Sequence, residues 1–129
     1  MNTDDEFTTA NEFLARVTAA LNACATDERV ASDMPHRDNA ENVARCARLA
    51  LVSARTSAWW GVLARRAYHF PYAHGALLGK AAMNAQLTEH DRARFWRDCA
   101  ADWQARAERR PTSDAAGALS NWAELGVSA

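Results

Sequence analysis

Six basic side chains lie in a segment of the chain that contains no acidic residue. The segment runs from Asn42 to Thr88, 47 residues without Asp or Glu. Its six basic residues are Arg45, Arg48, Arg55, Arg65, Arg66 and Lys80. An Arg guanidinium stays charged and binds phosphate oxygens through two N–H groups at once. We therefore expect these six side chains to bind a nucleic-acid backbone without reading its sequence.

Charge is sorted along the chain, although the formal net charge is only −1. Residues 1–43 contain nine acidic and three basic side chains, whereas residues 44–110 contain five acidic and twelve basic ones. A basic segment of this kind attracts phosphate or an acidic protein. A third interpretation also stays open, in which the acids near the N-terminus, or Asp98 and Asp102, neutralise the Arg side chains inside the molecule.

Three of these Arg residues fall on one line of a helix. Arg48, Arg55 and Arg66, which we call the arginine row, are separated by 7 and 11 residues. Both spacings are near whole numbers of helical turns, so the three side chains lie within about 20° of one another. Trp59 borders the row and can stack a nucleobase or cover a guanidinium. Trp59 and Trp60 point in nearly perpendicular directions, and an exposed Trp here is a candidate interface anchor.

The sequence offers no motif for catalysis or for a metal. His69 and His74 do not share a helical face, and the chain has no H-x-x-x-H, C-x-x-C or E-x-x-H pattern. It also lacks G-x-S-x-G, G-x-G-x-x-G and a true P-loop, because only three residues separate Gly75 from Gly79 and Ala81 follows Lys80. We therefore predict a chain that is not an enzyme and has neither metal nor cofactor.

Composition and helix signals predict an all-α fold. Frequent Ala, few Gly and Pro, and no alternating apolar pattern favour helices over strands. We predict a single domain over residues 1–129, a bundle of about five helices around a long central second helix. We expect residues 1–8 to be flexible and residues 26–37 to form a loop.

The predicted helix bounds follow from capping signals. Helix one begins at Thr9, helix two spans residues 39–68 after the capping pair Asp38 and Glu41, and helix three covers residues 76–87. Helix four covers residues 89–109 after Thr88, and helix five runs from Ser113 or Asp114 to Leu125. The turn between helices three and four also allows a DNA-reading pair, with Arg92, Arg94 and Arg97 on the reading helix. Glu89 and Asp91 in the first turn of that helix oppose this, since they would face phosphate.

Cysteine usage and the N-terminus favour the cytoplasm. Cys24, Cys46 and Cys99 are odd in number and widely spaced, which is typical of a reducing compartment. The chain begins with acidic residues and has no apolar run that resembles a secretory signal or a membrane span. We expect a cytoplasmic protein that does not enter a membrane.

A helical chain of this length with an arginine row on its central helix resembles the small subunit of multi-subunit CRISPR effector complexes. The resemblance covers the architecture of most of the chain and rests on size, helix content and charge placement. It implies a non-catalytic subunit that supports a nucleic-acid strand or duplex backbone beside larger protein subunits, with several copies stacked together. The net charge of −1 departs from a dedicated nucleic-acid binder, so avidity from repeated copies would be needed.

A second hypothesis belongs to another functional class. The chain can be a protein-interaction module, such as an antitoxin, an immunity protein or a phage-encoded inhibitor. In that case Trp59 or Trp60 and the arginine row contact an acidic protein surface. Salt separates the two hypotheses, because phosphate binding weakens steeply with salt whereas a Trp-anchored interface depends on it much less.

Overall fold

Three long helices make up the described part of the protein. The computed structural model describes residues 3–112, and its helices are α1 (Thr3–Ser32), α2 (Asn39–Ala67) and α3 (Gly75–Ala107). No strand occurs in this range. Helix α2 packs against both α1 and α3, while α1 and α3 barely touch each other. The predicted all-helical fold is thus confirmed, with α2 as the central helix of the described residues.

Helix α2 follows its sequence signals closely. Asp38 is the N-cap residue, and its side chain accepts a hydrogen bond of 2.8 Å from the Glu41 backbone N–H. This bond satisfies one of the amide groups that a helix start leaves without a partner. The helix ends at Ala67, one residue before the predicted end, and Pro71 follows in the connection to α3.

Helix α1 is longer at both ends than the sequence indicated. It begins at Thr3, and residues 26–32, predicted as loop, form its last two turns. The prediction of a start at Thr9 was wrong, because Thr9 lies inside α1. The hydroxyls of Thr8 and Thr26 also lie inside α1 and donate to the carbonyls four residues earlier, at 2.9 and 3.2 Å. Asp4, Asp5 and Glu6 occupy the first turn, where carboxylates interact favourably with the helix dipole.

The predicted third and fourth helices are one helix, α3. Thr88, which we interpreted as a cap, lies in its interior, and its hydroxyl donates to the Asn84 carbonyl at 3.0 Å. The turn that a DNA-reading helix pair needs is therefore absent from α3. Residues 3–112 contain three helices in place of the predicted first four, and the predicted fifth helix lies outside the described residues.

The helices meet through an apolar cluster and, between α2 and α3, through close contacts of small residues. The cluster draws on all three helices and contains Phe13, Val17, Leu63, Ala64, Ala67 and Ala82. Further along, the Ser57 hydroxyl donates to the Gln86 carbonyl at 3.0 Å, which joins α2 to α3. Gly61 lies beside the Gln86 side chain, so close that a Cβ there would be 2.7 Å from Nε2. Small residues on α2 thus let α3 approach closely.

Candidate nucleic-acid interface

The arginine row lies on the open side of α2. Arg48, Arg55 and Arg66 are all exposed. Because α2 is a continuous helix over Asn39–Ala67, the three side chains share one line along it. At about 1.5 Å per residue, the row extends about 27 Å along the helix axis. Arg65 is exposed as well and lies about 100° around the helix from Arg66.

No acidic side chain neutralises the row within residues 3–112. None of the ion pairs in this range includes a member of the row or Arg65. The ion pair that joins α1 to another helix is that of Glu28 with Arg92 of α3, at 3.6 Å. Glu28 of α1 therefore pairs away from the arginine row in the described part of the chain.

Arg66 differs from the rest of the row because it contacts α1. Its guanidinium carbon lies 4.0 Å from the centroid of the Phe13 ring. Glu6 and His69 line the same small open pocket, of about 270 Å³, at this end of the molecule. A guanidinium stacked on a ring keeps its N–H groups in the ring-parallel plane, where they can still donate to a phosphate. Arg48 and Arg55 have no such contact and form the freer part of the row.

The remaining two predicted phosphate ligands are placed differently. Arg45 is half-buried, and its Nε donates to the Ser32 carbonyl at 3.1 Å while the guanidinium lies 5.7 Å from the Trp96 ring centroid. It therefore links the end of α1 to α2 and α3. Lys80 is exposed, but it belongs to α3. The structure thus gathers four of the six basic residues on the open side of α2.

The two adjacent Trp residues have different surroundings. Trp60 is half-buried and packs against the apolar cluster. Trp59 is 37% exposed and lies within about 40° of every member of the arginine row. Trp96, which contacts Phe95 and Arg45, and Trp103, which contacts Arg106, are both half-buried. Trp59 is therefore the exposed Trp of the described residues.

A shallow groove between α2 and α3 adds two basic residues that the sequence analysis did not include in the interface. The groove has a volume of about 390 Å³ and a floor of small side chains. Arg97 and His90 of α3 and the exposed Leu51 of α2 line it, with Ala47, Ala50, Ala54, Ser57 and Ala93. No carboxylate is among these lining residues. The missing signal was the pairing register of α2 and α3, which places Arg97 opposite Ala47.

Three buried or half-buried groups of α2 and α3 have raised pKa values, whereas hydrogen bonds from Gln104 and Arg110 lower the pKa of the exposed Glu108. Burial raises the pKa of the Cys46 and Cys99 thiols, which disfavours the reactive thiolate. Burial also raises the pKa of Glu89, although Arg92, at 3.2 Å, acts in the opposite direction. Burial is the main cause of the raised pKa values of Cys46, Cys99 and Glu89.

Among residues 3–112, no three His, Cys, Asp or Glu side chains come together in a way that suits a metal ion. None of α1, α2 and α3 has an apolar stretch of the length needed to cross a bilayer. No family model, curated protein or solved structure matches this chain.

Proposed function

We propose that this protein is a non-catalytic helical subunit that supports a nucleic-acid backbone within a larger nucleoprotein assembly. The observation that carries the proposal is the exposed arginine row, which has no carboxylate partner within the described residues. Uncompensated Arg side chains on one face attract an anionic polymer. The spacing of the row along α2 suits a ligand that carries repeated charges.

The geometry of the row favours contact with the backbone over sequence readout. Arg48 and Arg55 are about 10 Å apart along the helix axis, and Arg55 and Arg66 about 16 Å. A nucleic-acid strand carries one phosphate per nucleotide, so the gaps between members of the row span several nucleotides. Contacts of this kind fix the position of a strand without specifying its bases.

The remainder of the molecule indicates why an assembly is needed. Three or four phosphate contacts give weak binding at physiological salt, and the acidic residues of α1 oppose it. Larger protein subunits, or several stacked copies of this chain, would add contacts and raise the overall affinity. This arrangement is the one that the resemblance to the CRISPR small subunit implies, and we include it in the proposal.

The proposal is tested by removing the two freer members of the row. We expect the Arg48→Ala/Arg55→Ala variant to bind a fluorescein-labelled 20-nucleotide strand about tenfold more weakly than wild type at low salt, measured by anisotropy. The matched control is Arg16→Ala/Arg29→Ala, which removes two exposed positive charges from α1. We expect the control to bind within about twofold of wild type, because its charges lie off the row.

Two results would contradict the proposal. One is absence of binding by wild type at low salt, and the other is equal loss of binding in both double variants. Either result favours the protein-interaction module, for which the exposed Leu51 and Trp59 near the row would be the anchors. Circular dichroism of each variant shows that a change in binding is not a loss of fold.

A further inference from the structure

We infer that the nucleic acid held by the arginine row is single-stranded at Trp59 and that an unpaired base stacks on the Trp59 ring. This assignment rests on the proposed function and adds the class of strand to it. The observation that carries it is the position of Trp59 between Arg55 and Arg66 on the open side of α2. The assignment requires an exposed ring, cations on both sides of it along one line, and a ligand with free base faces.

The Trp59 ring is available for stacking. It is 37% exposed and takes part in none of the aromatic or cation–π contacts found in residues 3–112. The other Trp side chains in this range each have a partner, since Trp60 packs in the apolar cluster while Trp96 and Trp103 lie under Arg side chains. An aromatic ring with a solvent-facing surface is the usual platform for a nucleobase.

The flanking cations indicate which ligand the ring would meet. A single exposed apolar side chain is common on protein surfaces and implies nothing by itself. Trp59, however, lies one helical turn beyond Arg55 and two turns before Arg66, about 6 and 10 Å along the axis. A strand whose phosphates contact these two Arg residues must cross the level of Trp59. Its base at that level can reach the ring only if it is unpaired.

The geometry of a duplex excludes stacking of a base on the Trp59 ring. In a duplex the faces of the bases are stacked on one another, and only their edges are accessible in the grooves. A Trp ring on the outer side of a straight helix cannot reach a base face without flipping that base, which requires unstacking and unpairing. A positively charged surface with an exposed aromatic ring is instead the arrangement that single strands recognise, largely without sequence preference.

The experiment compares three 12-nucleotide ligands at one low salt concentration, using fluorescence anisotropy. They are oligo-dT, an abasic strand of the same length, and a 12-base-pair duplex. The abasic strand keeps the phosphates and removes the bases, so it isolates stacking. We expect wild type to bind oligo-dT about tenfold more tightly than the abasic strand. We also expect weaker binding of the duplex than of oligo-dT.

Variants at Trp59 complete the test. Trp59→Ala should lose about tenfold in affinity for oligo-dT and bind the abasic strand as wild type does. Trp59→Phe keeps an aromatic face and should retain most of the preference for oligo-dT. The control is Phe95→Ala, which removes an exposed aromatic ring from α3 instead of α2 and should leave all three affinities unchanged.

The outcomes separate this inference from the proposed function. If wild type binds all three ligands equally and Arg48→Ala/Arg55→Ala weakens all of them, the proposed function stands and the stacking inference is wrong. An unchanged oligo-dT affinity in Trp59→Ala also overturns the inference. If none of the ligands binds at low salt, both proposals are wrong.

Discussion

Helices α1 and α2 are almost equal in length, 30 and 29 residues, but they differ in how they meet the rest of the molecule. α1 buries five residues along a single stripe and begins with three acids. α2 packs against both α1 and α3, buries ten residues, and has Arg65 and Arg66 in its last turn. The central helix thus has one narrow open side, and the sequence places Arg there, whereas the outer helix exposes most of its circumference.

Among the described residues, no ion pair joins an acid of α1 to the arginine row. Helix α1 places Glu6 in the pocket that Arg66 also lines, without an ion pair between the two. Its ion pair to another helix is instead Glu28 with Arg92 on α3. Contacts between α1 and α2 include the apolar cluster, the Phe13 ring under the Arg66 guanidinium and the hydrogen bond from Arg45 Nε to the Ser32 carbonyl. The arginine row has no ion-pair partner among the described residues, and this is the feature on which the proposed function rests.

The largest expected effect concerns the attachment of α1 to α2. Phe13 is 5% exposed and contacts both Phe70 and the guanidinium of Arg66. Phe13→Ala should lower the free energy of unfolding by about 3–5 kcal/mol, measured by denaturant titration, because it removes a large ring and leaves a cavity. Val30→Ala on the same helix is the control, since Val30 is 64% exposed and should change stability little. A loss under about 1 kcal/mol in Phe13→Ala would mean that α1 is not held through this stripe.

The next expected effect concerns two glycines, Gly75 and Gly61, at which α2 and α3 lie close together. A Cβ at Gly75 would lie 2.5 Å from the backbone carbonyl oxygen of Ala67, which cannot move without shifting α2. Gly75→Ala should therefore destabilise the protein by about 2 kcal/mol. A Cβ at Gly61 would instead meet the end of the Gln86 side chain at 2.7 Å, and that side chain can rotate away.

Gly61→Ala serves as the matched substitution inside α2. We expect its stability to lie within about 1 kcal/mol of wild type, because the higher helix propensity of Ala offsets the local rearrangement. Thermal unfolding of the two variants measures the difference. Equal destabilisation by both substitutions would show that the Gln86 side chain is held as rigidly as the backbone of Ala67.

The smallest expected effect is a dependence of stability on pH that arises from Glu89 of α3. Because burial raises the pKa of Glu89 in the folded protein, the folded chain holds this proton more tightly than the unfolded chain. The protonated Glu89 carboxyl therefore stabilises the folded protein at a pH below the pKa of Glu89 in the unfolded chain, which is about 4.3. This stabilisation is lost as the pH rises through the pKa of Glu89 in the folded protein. Glu89→Gln should therefore have a higher Tm than wild type at pH 7 and a nearly equal one at pH 4. A lower Tm at pH 7 would show that the ion pair with Arg92 outweighs burial.

The sequence predicted the central helix well because its signals are local. Asp38 with Glu41 marks the start of α2, and Pro71 limits its end, so both bounds follow from neighbouring residues. The predicted helix start at Thr88 was wrong because a hydroxyl that caps a helix start can equally bond to a carbonyl one turn earlier inside a helix. Thr8, Thr26 and Thr88 all make the second kind of bond.

The sequence predicted which side chains of the candidate interface share one line on α2, but it did not predict which of them are exposed. Spacing alone placed Arg48, Arg55 and Arg66 on one line of α2. Which side of α2 stays open depends on where α1 and α3 pack, and that is decided by contacts distant in sequence, such as Ser57 with Gln86. For the same reason Arg45, which neighbours the row in sequence, is held between α1 and α3.

The most direct test of the cationic side of α2 is the salt dependence of strand binding. Each phosphate contact on a single strand contributes about −0.7 to the slope of log K against log salt concentration. With contacts from the row and Arg65, we expect a slope of about −2 to −3 for wild type and a slope shallower by about 1.4 for Arg48→Ala/Arg55→Ala. A slope near zero, or the same slope in both proteins, would contradict phosphate binding by the arginine row.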